Sequence, residues 1–369
     1  MSFELIKKNF GFGCMRLPMK GEEVDYEEFN KMIDMFIENG FNYFDTAHPY
    51  LRGKSEPAIR DCLASRYDRS KFLLTNKLSG QYFNCEEDIR PLFHEQLKLC
   101  GVEYFDFYLM HAQNRINYQK FKKCNAYKVA FDLKKEGLIK HVGLSFHDKP
   151  EILDMILSEN PEIEVVQIQF NYIDYESLSI ESKKVYEVAR KHNKPIIIME
   201  PVKGGNLVNL PKEASKLFDD LNNGSNASYA LRYAAGFDGV IMTLSGMGSV
   251  AMMEDNIKTM KNYKKLNEKE LETIDKVVKI LRSKDLAQCT NCKYCVEGCP
   301  MHINIPDLLH CLNSKVVYND WSVLYYYNNV LSNDAKASKC IKCGKCELTC
   351  PQGLKIRDLL DKIVEIFEK

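Results

Sequence analysis

Two cysteine runs near the C-terminal end of the chain have the spacing of iron–sulfur ligands. Residues 289–300 follow the pattern C-x2-C-x2-C-x3-C-P, and residues 340–351 repeat it. In two-cluster proteins this spacing supplies three thiolates to one [4Fe–4S] cluster and the fourth thiolate to the other. Disulfides or a zinc site are the alternatives, although a zinc ribbon needs four ligands of its own at each site. The two predicted ligand sets are Cys289, Cys292, Cys295 and Cys350, and Cys340, Cys343, Cys346 and Cys299.

Four side chains in the first third of the chain have complementary acid–base chemistry: Asp45, Tyr50, Lys77 and His111. A free phenol has a pKa of about 10 and is a poor acid at neutral pH. A nearby ammonium lowers that pKa, and a carboxylate can hold the ammonium in place. We therefore expect Tyr50 to protonate a carbonyl oxygen while a hydride reaches its carbon, with His111 orienting the oxygen. Alternatively, Asp45 and Lys77 form only an ion pair at the edge of the fold.

Alternating strand and helix patterns position these four side chains. Eight strand–helix units between residues 11 and 263 predict an α/β fold, a (β/α)8 TIM barrel, in which catalytic residues follow the C-terminal ends of strands. A doubly wound sheet is the alternative, but no G-x-G-x-x-G motif follows a strand. The predicted strands are Gly11–Cys14, Phe41–Asp45, Phe72–Thr75, Phe105–Met110, Ile139–Ser145, Glu164–Gln169, Pro195–Met199 and Gly239–Leu244. The predicted helices are Tyr26–Asn39, Ser55–Arg66, Asn84–Cys100, Tyr118–Glu136, Pro150–Glu159, Ile180–His192, Ala227–Ala235 and Val250–Tyr263, with Ser55 and Asn84 as caps.

The remaining residues predict a small, mainly helical domain with two clusters, like the ferredoxin-like modules of larger redox enzymes. A helix over Glu268–Lys284 links it to the barrel. We therefore expect domains at residues 1–283 and 284–369. Further helices are predicted at Ile305–Leu312, Trp321–Leu331 and Asp358–Glu368.

The composition excludes several classes of partner. The chain has 51 basic and 51 acidic residues in 369, so no long-range field would attract nucleic acid or an anionic membrane. No apolar run reaches the length of about 18 residues that a membrane-spanning helix needs. The cysteines outside the two runs show no disulfide framework, which favours a reducing, cytoplasmic location.

The motifs around the four reactive side chains resemble those of the aldo/keto reductase family. Asp45-Thr46-Ala47-x-x-Tyr50, followed by Gly53-Lys54-Ser55-Glu56, is similar to the motif that carries the catalytic Asp and Tyr of the family. Lys77 matches its lysine, and His111 in Asp106-x-Tyr108-Leu109-Met110-His111 matches its histidine. With the cysteine runs, the chain resembles the iron–sulfur branch of this family. The resemblance implies a (β/α)8 barrel and NADPH-dependent carbonyl reduction.

The resemblance also implies positions for a nicotinamide cofactor. Ser145 and Gln167 would contact the carboxamide, and Met199 lies where many members stack an aromatic ring. Met252 occupies the position of an arginine that binds the 2′-phosphate, so NADPH, NADH and a flavin all stay open. The expected pyrophosphate loop is Gly246, Met247, Gly248 and Ser249, and the expected adenine contacts are Asp255 and Asn256.

The two predicted halves use different electron chemistry, because nicotinamide transfers two electrons as a hydride and a cluster transfers one. Three hypotheses follow. In the first, the barrel reduces a small carbonyl compound and the clusters are structural or serve a redox partner protein. In the second, the clusters relay electrons to a substrate or flavin in the barrel. In the third, the protein is a redox- and nucleotide-sensing regulator with slow or absent turnover.

Overall fold

Eight parallel strands close into a barrel, in which each strand pairs with its neighbours in sequence and the first strand pairs with the last. The structure, a computed structural model, describes residues 3–177, 180–289, 291–320, 322–329, 331 and 335–369. The strands are β1 (Phe10–Gly13), β2 (Tyr43–Asp45), β3 (Leu73–Leu78), β4 (Phe105–Gln113), β5 (Ile139–Phe146), β6 (Val165–Gln169), β7 (Ile196–Met199) and β8 (Val240–Ser245). The predicted barrel is therefore confirmed.

Helices surround the barrel, and their caps follow from the sequence. Asp25 caps the helix at Tyr26–Glu38 by accepting hydrogen bonds from two backbone N–H groups. Asn267 and Glu270 form a capping box on the helix at Glu268–Arg282. The barrel helices are α1 (Tyr26–Glu38), α2 (Ser55–Ile59, continued by a π-helical turn at Arg60–Ala64), α3 (Ile89–Cys100), α4 (Arg115–Lys123), α5 (Ala126–Lys135), α6 (Pro150–Glu159), α7 (Ser182–Lys191), α8 (Lys212–Asp219), α9 (Asn226–Ala235), α10 (Val250–Lys261) and α11 (Glu268–Arg282). A short hairpin, Met19–Lys20 with Glu23–Val24, follows β1.

Three local predictions are wrong. The helix expected over Tyr118–Glu136 is two helices, α4 and α5, separated at Asn125, whose φ of 51° is left-handed. Ser55 does not cap α2, because its hydroxyl donates to the Cys14 carbonyl and lies 2.7 Å from the Thr46 hydroxyl. Asn84 does not cap α3, which begins at residue 89.

The packing has an inner and an outer layer. Inside the barrel, side chains such as Tyr43, Phe107 and Met242 form one buried cluster, and a larger cluster fills the space between strands and helices. Gly143 in β5 allows a close strand contact, because a Cβ there would lie 2.6 Å from the Val165 carbonyl oxygen. Such close packing fixes the strand ends that carry the reactive side chains.

The C-terminal region has its own core and an internal repeat. Its helices are α12 (Tyr294–Glu297), α13 (Ile305–Tyr318), α14 (Ser322–Asn329), α15 (Lys345–Leu348) and α16 (Ile356–Phe367). The three predicted helices are present here, but α13 continues beyond Leu312 to Tyr318 and α14 ends at Asn329, before Leu331. Trp321 and Val330 lie outside the described residues. The short helices α12 and α15 each follow a left-handed residue, Lys293 and Gly344, and each carries the third cysteine of a run. The separate core begins at Ala287, and the division at residues 283 and 284 stays a prediction.

The C-terminal region covers the end of the barrel where the strands terminate. The Asn114 side chain, after β4, donates to the Tyr325 hydroxyl at 3.2 Å. Lys203, after β7, pairs with Asp320 at 2.9 Å. Because these loops follow the C-terminal strand ends, the cysteine-rich region lies on the face that carries catalytic groups in such barrels.

No helix in the described ranges combines the length and apolar composition that would cross a bilayer. The cytoplasmic location stays a prediction.

Candidate active site and cysteine cavities

Lys77 and Asp45 form a fully enclosed ion pair inside the barrel mouth. The two residues lie on adjacent strands, β3 and β2, rather than beyond their ends. The Lys77 Nζ atom donates to Asp45 Oδ1 at 2.6 Å and to the Thr46 carbonyl at 2.8 Å. Burial alone would lower the pKa of Lys77, but Asp45 and Tyr50 outweigh it and raise that pKa. The ammonium is therefore charged at neutral pH.

Tyr50 lies beside this ammonium. The Lys77 Nζ atom is 4.8 Å from the centroid of the Tyr50 ring. Burial raises the pKa of Tyr50, and the charge of Lys77 opposes this shift without reversing it. The expectation that Lys77 would lower the pKa of the phenol is wrong in its net direction, because desolvation of a buried phenolate is the larger effect. Tyr50 is therefore protonated at neutral pH.

His111 completes the group from β4. Its ring is 6.0 Å from the Tyr50 ring, centroid to centroid, in an edge-on arrangement. The Nδ1 atom lies 2.6 Å from the Ser79 hydroxyl, so that Nε2 is the other ring nitrogen that could form a hydrogen bond. Burial, helped by Lys77 and His147, holds the pKa of His111 well below its usual value. The ring is thus neutral and can direct a hydrogen bond at an oxygen without adding charge.

The four predicted reactive residues therefore converge, and their protonation states suit a proton donor. A protonated phenol stands next to a fixed cation that would stabilise its phenolate after proton release. A neutral imidazole stands next to the same phenol. Together these groups can polarise a carbonyl oxygen and protonate it as charge develops.

A buried network of polar side chains forms hydrogen bonds to Asn76 and Lys77 of β3. The Glu56 carboxylate accepts from the Asn76 side chain at 2.8 Å, next to Lys77 in the chain. The second Glu56 oxygen lies 2.7 Å from His48 Nδ1, and this contact is the main cause of a raised pKa for His48. Gln96 donates to the Lys77 carbonyl at 3.0 Å. The network positions the Lys77 backbone, and His48 belongs to it.

The predicted carboxamide contacts are neighbours, but each already has a partner. Ser145 and Gln167 are paired across β5 and β6. The Ser145 hydroxyl accepts from the Ala112 N–H at 2.8 Å, and Gln167 Nε2 donates to Asp45 Oδ2 at 3.2 Å. Met199 ends β7 and is partly exposed. These three residues form one wall of the mouth beside Asp45.

The predicted pyrophosphate loop leads into the N-terminus of α10. Ser249 caps this helix and accepts from the Met252 N–H at 3.4 Å. The Val250 N–H, which could bind an anion, donates instead to Glu28 Oε1 at 3.0 Å. The Met247 side chain is buried, whereas a Cβ at Gly248 would meet no atom within 4 Å. The loop therefore has an open face, with a carboxylate from α1 at its edge.

The predicted adenine contacts are held by neighbouring side chains. The Ser225 hydroxyl donates to Asp255 Oδ2 at 2.6 Å. Asn256 is buried and donates to the Ser245 hydroxyl at 2.8 Å. Asp255 remains near the surface of α10, while Asn256 fixes this helix to the end of β8.

Arg16 is a cation at the mouth that the motifs did not single out. It follows β1, and a Cβ placed on Gly246 would lie 3.6 Å from the Arg16 Cβ. Its guanidinium is 3.8 Å from Glu200, after β7. The available signal was its position three residues after the end of a barrel strand. Arg16 places a positive charge next to the predicted pyrophosphate loop.

Each predicted cysteine set lines its own cavity. Cysteines from both runs meet in each cavity, as the three-plus-one spacing predicts. The first cavity is lined by Cys289, Cys292, Cys295 and Cys350, and the second by Cys340, Cys343, Cys346 and Cys299.

The donors around these cavities suit an iron–sulfur group. The Asn291 N–H donates to Cys289 Sγ at 3.5 Å, and the Lys342 N–H donates to Cys340 Sγ at 3.4 Å in the second run. Such N–H···S bonds tune the potential of a cluster. Within the described ranges, no three His, Cys, Asp or Glu side chains converge on a single-ion position. The sulfurs instead surround a volume.

Sequence reasoning missed the contact between the two halves near the reactive group. The Tyr325 ring, from α14, lies 5.7 Å from the His147 ring, just beyond β5. Both rings line a small cavity with Phe146, Gln169 and Tyr326. Burial, reinforced by Lys77, lowers the pKa of His147 to about 4. Only the tertiary structure brings a residue more than 170 positions later onto this strand end.

Comparison with known proteins divides the chain into the same two parts, the barrel and the cysteine-rich region. Residues 9–279, more than half of the chain, match the model of the aldo/keto reductase family. Residues 288–355 match a 4Fe-4S dicluster domain.

Individual relatives are distant. The chain is 22% identical over 295 residues to the uncharacterized oxidoreductase YqkF of Bacillus subtilis, covering 72% of this chain and 90% of that protein. The solved aldo-keto reductase AKR11C1 of Bacillus halodurans, in its holo form, shares 22% identity with a TM-score of 0.58, over 73% of this chain and 91% of the other. An aldo-keto reductase of Klebsiella pneumoniae in complex with NADPH shares 17% identity with a TM-score of 0.60, and the match covers 73% of this chain and 90% of the other. These structures support the barrel fold.

Proposed function

The chain belongs to the aldo/keto reductase family of oxidoreductases and carries a 4Fe-4S domain, and on this premise we propose that its barrel reduces a small carbonyl compound with NADPH or NADH. The observation that carries the proposal is the convergence of Tyr50, Lys77 and His111, with a protonated phenol beside a buried ammonium. A regulator without turnover would have no use for this proton donor.

The proposed mechanism gives each side chain one task. His111, neutral, donates a hydrogen bond to the substrate carbonyl oxygen and orients it. A nicotinamide held by Ser145, Gln167 and Met199 would supply the hydride for the carbonyl carbon. Tyr50 gives its proton to the oxygen, so that the product is an alcohol. Lys77 stabilises the phenolate left on Tyr50, and Asp45 keeps the Lys77 ammonium charged and in place.

The residues at the mouth fit a dinucleotide. Ser145, Gln167 and Met199 would hold the nicotinamide end, and the loop at residues 246–249 would hold the pyrophosphate through its exposed backbone. A positive charge at Arg16 suits a phosphate, and the relative from Klebsiella pneumoniae binds NADPH. Met252 offers no charge to a 2′-phosphate, so NADH suits this chain at least as well as NADPH. Asp255 and Asn256 would face the adenine.

For the C-terminal domain, we propose two [4Fe–4S] clusters with the ligand sets that line the two cavities. We expect Cys292→Ala and Cys343→Ala each to reduce the iron content by about half, because each removes one ligand from a different set. Cys85→Ala, which removes an exposed cysteine of the barrel, is the matched control and should leave the iron content unchanged. Equal iron in all three variants would contradict the assignment.

The carbonyl reductase proposal is tested by anaerobic turnover with NADH or NADPH and a panel of aldehydes and ketones. We expect Tyr50→Phe to reduce kcat/KM by about 10² or more, because it removes the proton donor. Tyr82→Phe removes a nearby exposed hydroxyl and is the control. Unchanged turnover in Tyr50→Phe would exclude the proposed role of Tyr50.

A second candidate function is supported by the position of the cluster domain. Tyr325 contacts His147 near the reactive group, which favours a relay of single electrons from the clusters to a substrate or flavin in the barrel. This hypothesis expects turnover that requires an external one-electron donor and is lost in Cys292→Ala. Turnover with a nicotinamide alone, undiminished by the loss of this ligand, would exclude the relay.

A further inference from the structure

The surface around the second cysteine run is strongly basic. Residues 336–357 contain six basic side chains and one acidic side chain. When the segment is extended to residue 369, it contains eight basic and five acidic side chains. The acidic residues of α16 therefore reduce the excess of positive charge without reversing it. We call the exposed cations of this run the basic face: Lys339, Lys342, Lys345, Lys355 and Arg357.

Among the described residues, most of these cations have no oppositely charged partner. Lys342 pairs with Asp361 at 2.9 Å, and Arg357 pairs with Glu347 at 2.8 Å. Within the described residues, no ion pair is formed by the other three cations of the basic face, Lys339, Lys345 and Lys355. A concentration of cations on a chain with no net charge points to a particular acidic partner.

Exposed apolar side chains accompany the basic face. Leu348, at the end of α15, is 88% exposed, and Ile341 is 60% exposed. Ile341 lines the second cysteine cavity together with Cys343, which is itself exposed. Single exposed apolar residues are ordinary, but these two flank a predicted cluster ligand within a basic segment.

The equivalent surface of the first run is different, although the backbone repeats. Residues 289–306 contain one lysine and one glutamate. Asn291 and Lys293 line a cleft shared with α6 and α7 of the barrel. The two cysteine cavities do not differ in this way, because the described residues that line each of them all belong to the C-terminal domain. The first run therefore borders the barrel at Asn291 and Lys293, whereas Ile341, Lys342 and Cys343 of the second run are exposed.

We propose that the basic face, with Ile341 and Leu348, is the docking surface for an acidic one-electron carrier protein of the ferredoxin or flavodoxin type. Apolar contacts surrounded by charges, over a small area, characterise transient redox encounters. The reduced carrier loses one electron, and the iron–sulfur group in the second cavity gains it. No bond forms or breaks, and no proton moves. This inference rests on the proposed clusters but not on the proposed carbonyl chemistry.

The test measures binding and reduction of the full-length, cluster-loaded protein by an acidic plant-type [2Fe–2S] ferredoxin. The variant Lys339→Glu/Lys355→Glu reverses two charges of the basic face. We expect its affinity for the ferredoxin, by calorimetry at low ionic strength, to fall about tenfold or more. The rate of cluster reduction by reduced ferredoxin, by stopped-flow absorbance, should fall by a similar factor. A higher salt concentration should reduce the difference in ferredoxin affinity and in reduction rate between this variant and the wild type.

The control variant Lys123→Glu/Lys258→Glu makes the same charge change on exposed barrel helices and should behave as the wild type. Reduction by methyl viologen, a small donor, should be equal in all three proteins. Leu348→Ser, which changes no charge, should weaken ferredoxin binding at every salt concentration.

Several outcomes would overturn the proposal. They are wild-type protein that binds no acidic carrier, equal losses in both charge-reversed variants, or preferential binding to vesicles of phosphatidylcholine and phosphatidylglycerol instead of ferredoxin. Iron content and nicotinamide-driven carbonyl reduction, measured on the same preparations, separate these failures from a failure of the proposed function.

Discussion

Removing the Lys203 ammonium should release the cluster domain from the barrel. Lys203 is 2% exposed and pairs with Asp174 at 2.7 Å and with Asp320 at 2.9 Å. Burial opposes its charge, but the two carboxylates raise the pKa of Lys203 well above its usual value. In Lys203→Met, two buried carboxylates face each other without a cation. Loss of one partner from a buried ionic group costs about 3–5 kcal/mol.

This cost should appear as local opening of α13 and α14, measured by amide hydrogen exchange. A loss of about 3 kcal/mol accelerates exchange through opening by more than about 100-fold. Asp320→Asn in the Lys203→Met background removes the repulsion and should restore part of the protection. Lys216→Met breaks an exposed pair with Asp220 and is the matched control, with an expected effect below about 1 kcal/mol. Equal exchange in Lys203→Met and Lys216→Met would refute the reasoning.

Three further predictions concern the barrel. Glu28→Gln should tighten nucleotide binding by a few-fold, as measured by fluorescence titration. The reason is that it removes the negative charge of a carboxylate that accepts from the Val250 N–H at the proposed pyrophosphate loop. Weaker nucleotide binding in this variant would contradict the prediction. The hydrogen bond to Glu56 raises the pKa of His48, so the stabilisation that this bond gives the folded protein is complete below about pH 6.5 and is lost as pH rises through the raised pKa. The Tm difference between wild type and His48→Gln should therefore shrink from pH 6 to pH 8. A Tm difference that stays constant over this range would contradict the prediction. The imidazole protons of His111 should not titrate between about pH 5 and pH 8 by NMR, because its pKa lies well below the usual value.

The cysteine sets and the reactive group could be predicted because each depends on simple geometry. The cysteine spacing is local and repeated, so the exchange of Cys299 and Cys350 between the runs follows from it. Asp45, Tyr50 and Lys77 converge because parallel strands end on one face of a closed barrel.

Other features could not be predicted because they depend on tertiary contacts. The apolar pattern continues through Asn125, so nothing local marked the end of α4. Ser55 has the side chain of a helix cap, but its hydroxyl is engaged by Cys14 and Thr46. The net pKa shift of Tyr50 is set by burial, which motif spacing does not show.

The contacts between the barrel and the C-terminal region are the features that the sequence predicts least well. Asp320 lies more than 100 positions from Lys203, and Tyr325 lies more than 170 positions from His147. A single sequence gives no pairing signal over such separations. The position of the cluster domain on the catalytic face therefore emerged only from the structure.

The central claim is that the barrel reduces a carbonyl group by direct hydride transfer, with Tyr50 as the acid and without electrons from the clusters. The most direct test is a single turnover with nicotinamide deuterated at C4, in anaerobic protein whose clusters are kept oxidised and which receives no external donor. The account predicts deuterium on the carbinol carbon of the product in wild type and its loss in Tyr50→Phe. Product that forms only after the clusters are reduced, or that carries no deuterium, would contradict it.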